Sequence, residues 1–317
     1  VPSSNPFTRR PVVLLLATLS CLLWGSAYPA IKHGYALLGI GTEDVGSQLV
    51  FAGIRFALAG LVLLAGLALR GTAPVYASLR AEAGPLVLLG LTLTGLHYLF
   101  FYVGLAHTTG VKGSIVVGSS TFFSVLLAHF LYANDRLSRR RITGVVTGFA
   151  GVVWVNFRGA GLDLDFTLRG EGFVAIAAFL LSAASIYGKR LSQRMNVIAM
   201  TGHQLTIGGL ALLGTGFALG GSPGTLSPGA VLLLAYMVLL SSVAFALWSL
   251  LLKHNRVGSV AVYSFLIPVF GALLSALFLG ERILDLRHLA ALALVCAGIW
   301  IVHREPAPRE QSPNPAG

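Results

Sequence analysis

Charge is what this sequence has least of. Only 10% of its 317 residues are Asp, Glu, Lys or Arg, where a soluble domain carries about 25%. A chain that is 56% hydrophobic, with a mean hydropathy of +0.82, cannot wet a globule of its own size. The solvent for most of its surface is therefore expected to be lipid. Cysteine is scarce too. Cys21 and Cys296 each sit inside an apolar run, which does not suggest a disulfide framework. Thr18-Leu19-Ser20-Cys21 faintly matches a lipoprotein cleavage site, but the run continues through Leu22, Leu23 and Trp24, so a retained helix is expected. None of the eleven carboxylates falls in the middle of an apolar run. Intramembrane carboxylates are the commonest proton carriers of pumps and antiporters, so their absence argues against carboxylate-based proton antiport. Metal-ligand spacing, a nucleophile elbow and a catalytic carboxylate pair are all missing, and the Gly-rich stretch 220–229 reads as a loop without a phosphate-binding motif. No enzyme chemistry, cofactor or metal is expected.

What the chain has is long apolar runs. A spanning helix needs roughly 20 apolar residues. Ten runs meet or approach that length: about 12–32, 47–69, 84–106, 112–133, 141–157, 172–191, 196–219, 229–252, 257–279 and 286–303. The fold class expected is an all-α integral membrane protein with ten transmembrane helices. The net charge of +11 does not point to nucleic acid, because no polar stretch is long enough to fold as a binding domain. Lys and Arg lie between the runs, where they report topology. Alternate connections carry fifteen on one side and six on the other, with Arg55 inside the second run completing the 22. The richer side is expected to be cytoplasmic and to hold both termini.

The chain also repeats itself. A shift of 146 residues superposes 95–158 on 241–304 without a gap. Asp135-Arg136-Leu137 meets Glu281-Arg282-Ile283, Arg141 meets Arg287, Trp154 meets Trp300 and Arg158 meets Arg304. Trp24-Gly25-Ser26-Ala27-Tyr28 through Lys32 lies more weakly over Leu181-Ser182-Ala183-Ala184-Ser185 through Lys189. Five helices per half is an odd number, so the second half is expected to enter the membrane inverted, as in many secondary transporters. The expected organisation is a tail at 1–11, a first repeat at 12–157, an extracytoplasmic connection at 158–171, a second repeat at 172–303 and a tail at 304–317.

Gly104-Leu105-Ala106 through Asp135-Arg136-Leu137 resembles one copy of the EamA-type repeat of the drug/metabolite transporter superfamily. A second copy is closer: Ala244-Phe245-Ala246-Leu247-Trp248, Val257-Gly258-Ser259-Val260-Ala261, Ile267-Pro268-Val269 and Leu279-Gly280-Glu281-Arg282. Leu23-Trp24-Gly25-Ser26 resembles that family's first helix. The resemblance covers about residues 12 to 303. It implies two inverted five-helix halves and an exporter of small metabolites, most similar to the YddG-type exporters of amino acids, in a bacterial inner membrane. The first half departs from the pattern at Phe122, where the second half has Pro268, so its helix is expected to lack a proline kink.

Candidate transport residues follow from spacing. Trp24 and Tyr28 are four apart and share a helix face, as do Tyr98 and Tyr102. The 146-residue shift puts Tyr102 on Trp248. Tyr263 and Ser264 precede Pro268, and Ser182 and Ser185 share a face of the sixth run. His97 is a further polar group in mid-run and could carry a proton or bond across helices. Together these suit an aromatic-walled cavity for a small neutral or zwitterionic metabolite; the alternative is that the rings are packing or interfacial residues. Arg55 reads more readily as structural, snorkelling or pairing with Glu43 or Asp44, than as a carboxylate receptor. The glycines at 144, 148 and 151 and the alanines at 290, 293 and 297 read as intramolecular packing faces. The expected partners are a small-molecule substrate and the bilayer, with the chain a monomer. A nucleotide-sugar or phosphorylated-metabolite transporter is an alternative that needs basic residues deep in the cavity, with Arg55, Lys112 and Lys189 the candidates. A passive channel or an intramembrane enzyme is less favoured.

Overall fold

Lipid offers no hydrogen bonds, so the backbone of a spanning segment must satisfy itself, and the α-helix does so within one segment. The computed structural model describes residues 5–71, 81–108, 110–156, 166–279 and 286–304, and among them there is no strand. The helices in chain order are α1 (Arg10–Leu38), α2 (Val45–Ala68), α3 (Ala83–Ala106), α4 (Gly110–Leu131) and α5 (Arg139–Asn156). They continue with α6 (Leu168–Ser192), α7 (Val197–Ala218), α8 (Pro228–His254), α9 (257–279) and α10 (Leu286–His303). Among the described residues, six helices are long and apolar enough to cross a membrane: α1, α2, α3, α6, α7 and α8. Arg139, Arg140 and Arg141 occupy the first turn of α5. α9 is interrupted by a 3-10 turn, Val262–Phe265.

Helix ends fall where residues can cap them. Asp44 accepts the Ser47 N–H at 2.9 Å at the start of α2, Asn196 caps α7, and Ser227 caps α8 with a proline in its first turn. Gly39, at φ +70°, closes α1 in the left-handed conformation. Hydroxyls inside the helices return to their own carbonyls, as Ser20 does to Leu16, Ser242 to Val238 and Thr206 to Gly202. Apolar surroundings leave them little else to bond.

The packing has a regular pattern. α2 lies along α7 and α5 along α10; α1 packs on α8 and α9, while α6 packs on α3 and α4. Advancing every helix by five places maps this set of pairings onto itself. The two self-paired couples are antiparallel. Early in α2 a Cβ on Gly46 would fall 2.9 Å from the N of Gly221, just past the end of α7; later, one on Gly53 would fall 2.8 Å from the Gly209 carbonyl. In the other couple, a Cβ on Gly144 would fall 2.7 Å from the Gly298 carbonyl, and one on Gly151 2.8 Å from the Ala291 carbonyl. The glycine face of α5 is therefore an intramolecular packing face. The alanine stripe expected on α10 is displaced: Ala293 and Ala297 are exposed, and Ala291, Val295 and Gly298 face α5. The outer surface carries large exposed apolar side chains, among them Leu15, Phe130 and Leu232. Trp154 and Trp300, equivalent under the 146-residue shift, are both on that surface, with the Arg304 guanidinium 4.0 Å from the Trp300 ring centroid.

Candidate functional site

Two departures from α-helical geometry flank one cavity. In α3 a π-helical stretch, Leu91–Leu96, precedes His97; such bulges re-aim the side chains that follow. In α9 Pro268 has no N–H to donate to the preceding turn, and the helix tightens into the 3-10 turn at Val262–Phe265. α4, with Phe122 at the equivalent position, runs as uninterrupted α-helix, as its lack of proline leads one to expect.

The cavity between these bends has a volume of about 220 Å³. Six rings form much of its wall: Trp24, Tyr28, Tyr98, Tyr102, Phe245 and Trp248. Trp24 meets two of the others edge to face. The Trp24 centroid is 5.2 Å from that of Trp248 and 5.3 Å from that of Phe245, and Phe56 supports Tyr98 from behind at 4.5 Å. Such contacts fix ring orientation beyond what burial alone does. Ser120, Ser124, Ser185, Ser249 and Ser264 also line the space. Ser264 Oγ lies 2.8 Å from Thr121 Oγ1, which ties α9 to α4 at the cavity edge.

Of the residues singled out in the sequence, the fold brings Trp24, Tyr28, His97, Tyr98, Tyr102, Ser185, Trp248 and Ser264 to this cavity. It does not bring Ser182 or Tyr263 there. Ser182 is buried one turn behind Ser185, where its hydroxyl is bonded to the Ser120 and Ala178 carbonyls. Residues three apart lie about 60° apart around the helix, and here that angle divides them between neighbour helix and cavity. Tyr263 packs in the apolar core, 5.0 Å from the His303 ring, and its carbonyl accepts the Cys21 thiol. His97 is buried with Nδ1 3.1 Å from the Ala177 carbonyl, so it bonds across helices as well as lining the cavity. His129 accepts the Leu137 N–H at the corner before α5, and His203 bonds the Ala199 carbonyl of its own helix. Neither is at the cavity. Glu281, Arg282 and the side chain of Lys112 lie outside the described residues.

Arg55 is the placement that differs most from expectation. It is 2% exposed, it lines the cavity, and its Nε donates to Ser241 Oγ at 2.7 Å. It neither snorkels to the surface nor pairs with Glu43 or Asp44; Asp44 is engaged as the cap of α2. Lys189 also lines the cavity, with Nζ bonded to the Leu252 and Asn255 carbonyls at the end of α8. No Asp or Glu is among the described lining residues. The signal for Arg55 was its position as the one charge well inside an apolar run. Phe245 could have been found as the residue three before Trp248 on the same helix face.

A second polar cluster lies away from the cavity. Asp135 Oδ1 accepts Arg141 Nη1 at 2.6 Å, and Oδ2 accepts the Gly258 N–H at 3.1 Å. Both side chains are buried, at 1–2% exposure. The carboxylate thus joins the α4–α5 corner to the first turn of α9 in the other half. Among the described residues no group of three or more His, Cys, Asp or Glu could hold a metal ion.

This geometry has relatives. The EamA-like transporter family matches the chain twice, over residues 12–157 and 168–304. A Bacillus subtilis protein named an uncharacterized transporter, YvbV, is 29% identical over 94% of this chain and 92% of its own. An Escherichia coli protein named a "probable amino-acid metabolite efflux pump" is 25% identical over 90% of this chain and 93% of its own. A solved crystal structure shares the fold with a TM-score of 0.75 at 20% identity, covering 92% of this chain and 96% of that one.

Proposed function

From the premise that this chain belongs to the EamA-like transporter family, we propose that it exports amino acids with aromatic or apolar side chains, or similar small metabolites. In this reading it is a ten-span protein of a bacterial inner membrane with both termini cytoplasmic. Its two inverted five-helix halves rock about the cavity and open it to each side in turn. The observation that carries the reading is the cavity itself: an aromatic-walled space of about 220 Å³ at the junction of helices from both halves. A space of this kind suits one small metabolite with an apolar part. The self-mapping helix pairs, with α2 antiparallel to α7 and α5 to α10, support the inverted relation. The absence of acidic groups among the described lining residues supports a facilitator.

The test is a substrate screen in proteoliposomes containing only this protein, with and without a pH gradient. Saturable uptake of phenylalanine, tryptophan or leucine without a pH gradient is expected. Tyr102→Ala and Trp248→Ala should each raise KM about tenfold or more while eluting as folded protein, since a buried aromatic contact is worth roughly 0.5–1.5 kcal/mol beyond its area. Normal transport by both variants would displace the site. Transport of nucleotide sugars or phosphorylated sugars instead would replace the substrate class, and accumulation driven by a pH gradient would replace the facilitator.

A further inference from the structure

Arg55 is a buried cation whose charge no carboxylate among the described residues balances. Its guanidinium has five N–H donors in a planar fork. Nε donates to Ser241, and Ser241 in turn donates to the Met237 carbonyl, so the serine acts as acceptor and the fork is held in one orientation. Nη1 and Nη2 make no hydrogen bond to the described residues, and no carboxylate among those residues lies within 4 Å. The Phe56 ring, 4.7 Å from Cζ, closes one side. Yet the residue lines the cavity and is 2% exposed. Holding such a group unpaired costs several kcal/mol, a cost an anion on the free edge would offset. The two Nη groups match the spacing of a carboxylate's two oxygens.

The rest of the lining makes the preference one-sided. Lys189, the other cation, has its ammonium bonded to carbonyls at the end of α8. Among the described lining residues no carboxylate is available to receive a substrate ammonium. Rings and hydroxyls can tolerate an ammonium but do not require one. Two cations in the wall also repel a substrate that carries a positive charge alone.

We propose that Arg55 is the receptor for the substrate's carboxylate, so that the cavity selects apolar monocarboxylates and the α-amino group of an amino acid is dispensable. This rests on the transport reading for its substrate size, but it is tested by binding rather than by flux.

The probes are phenylalanine, 3-phenylpropanoate and phenylalaninamide, with leucine, 4-methylpentanoate and leucinamide as a second series. Binding to the purified full chain at pH 7.5 is read from tryptophan fluorescence, which Trp24 and Trp248 report from the cavity wall. In at least one series, the amino acid and its deaminated acid should bind within about tenfold of each other, and the amide about ten- to a hundredfold more weakly, as loss of a charged hydrogen bond predicts. Arg55→Gln should bring the three members of that series together, and Arg55→Lys should keep part of the difference. An amide that binds as well as its amino acid overturns the assignment, as does a deaminated acid that does not bind or a complete absence of binding. Where Arg55→Gln fails to fold, the analogue order on the unaltered protein decides alone. If the order holds but proteoliposomes show no flux, the transport reading falls and the carboxylate site stands. If flux is saturable but indifferent to the carboxylate, the reverse holds.

Discussion

Replacing Asp135 with alanine should destabilise the fold more than any single change at the cavity wall. The carboxylate makes two bonds at once, to Arg141 Nη1 at 2.6 Å and to the Gly258 N–H at 3.1 Å. Removing it takes the acceptor from a guanidinium that is 1% exposed and from a buried backbone N–H. That guanidinium also donates to the Arg136 carbonyl at 3.0 Å, a bond that does not neutralise charge. Breaking one partner of a buried pair costs about 3–5 kcal/mol, and the orphaned N–H adds about 1 kcal/mol or more. Thermal unfolding of the purified protein in detergent, followed by loss of the monodisperse peak, gives the ranking. Asp135→Ala should unfold well below the parent, and Asp135→Asn less far below it, since an amide oxygen still accepts from Gly258. The double variant Asp135→Ala/Arg141→Leu should recover part of the loss, because the buried charge goes with its partner. An Asp135→Ala protein as stable as the parent, or a double variant as poor as the sum of its singles, would refute the reasoning.

Three further outcomes follow from the same structure. Ser182→Ala should leave KM unchanged while costing about 1 kcal/mol of stability, because its hydroxyl bonds Ser120 and Ala178 rather than facing the cavity; a change in KM with stability intact would contradict that placement. Gly298→Leu should prevent stable folding, since even a Cβ there would fall 2.6 Å from the Gly148 N, and overpacking of this kind costs about 1–3 kcal/mol or more; normal expression and melting would contradict the close α5–α10 contact. Asp44 is held below the usual carboxylate range by the Ser47 hydroxyl first and the Ser47 N–H second. Its cap is therefore fully present above the ordinary Asp value of about 3.9 and is lost as pH falls through the lowered value. Asp44→Ala should lower stability modestly at pH 7 and converge with the parent at acid pH; a difference that grows on acidification would contradict the sign.

Much of the architecture is legible in the sequence because it is written in residue identity. Apolar runs mark the helices, and the pairing of Trp154 with Trp300 and of Arg141 with Arg287 marks the repeat. The straight α4 and broken α9 follow from Phe122 against Pro268. The site is legible only in part. Spacing brings eight candidates to the cavity, yet it cannot tell Ser182 from Ser185, which differ by the turn of α6 and by which neighbour crosses there. The alanines of α10 show the same limit, since the contact face at Ala291 and Gly298 is set by where α5 lies. Arg55 reads as structural from sequence because spacing cannot show that Asp44 is engaged at the helix end while the Arg55 side chain turns to Ser241.

The most direct test of two halves rocking around one cavity is counterflow. Proteoliposomes holding only this protein are loaded with labelled phenylalanine, and its exit is timed with and without unlabelled phenylalanine outside. Alternating access predicts an exit that saturates with internal concentration and accelerates when the outer side is occupied, with both features moved to about tenfold higher concentration or more in Trp248→Ala. An exit that rises linearly with concentration and ignores the outer side would mean a channel, and would contradict the transporter mechanism proposed for this fold.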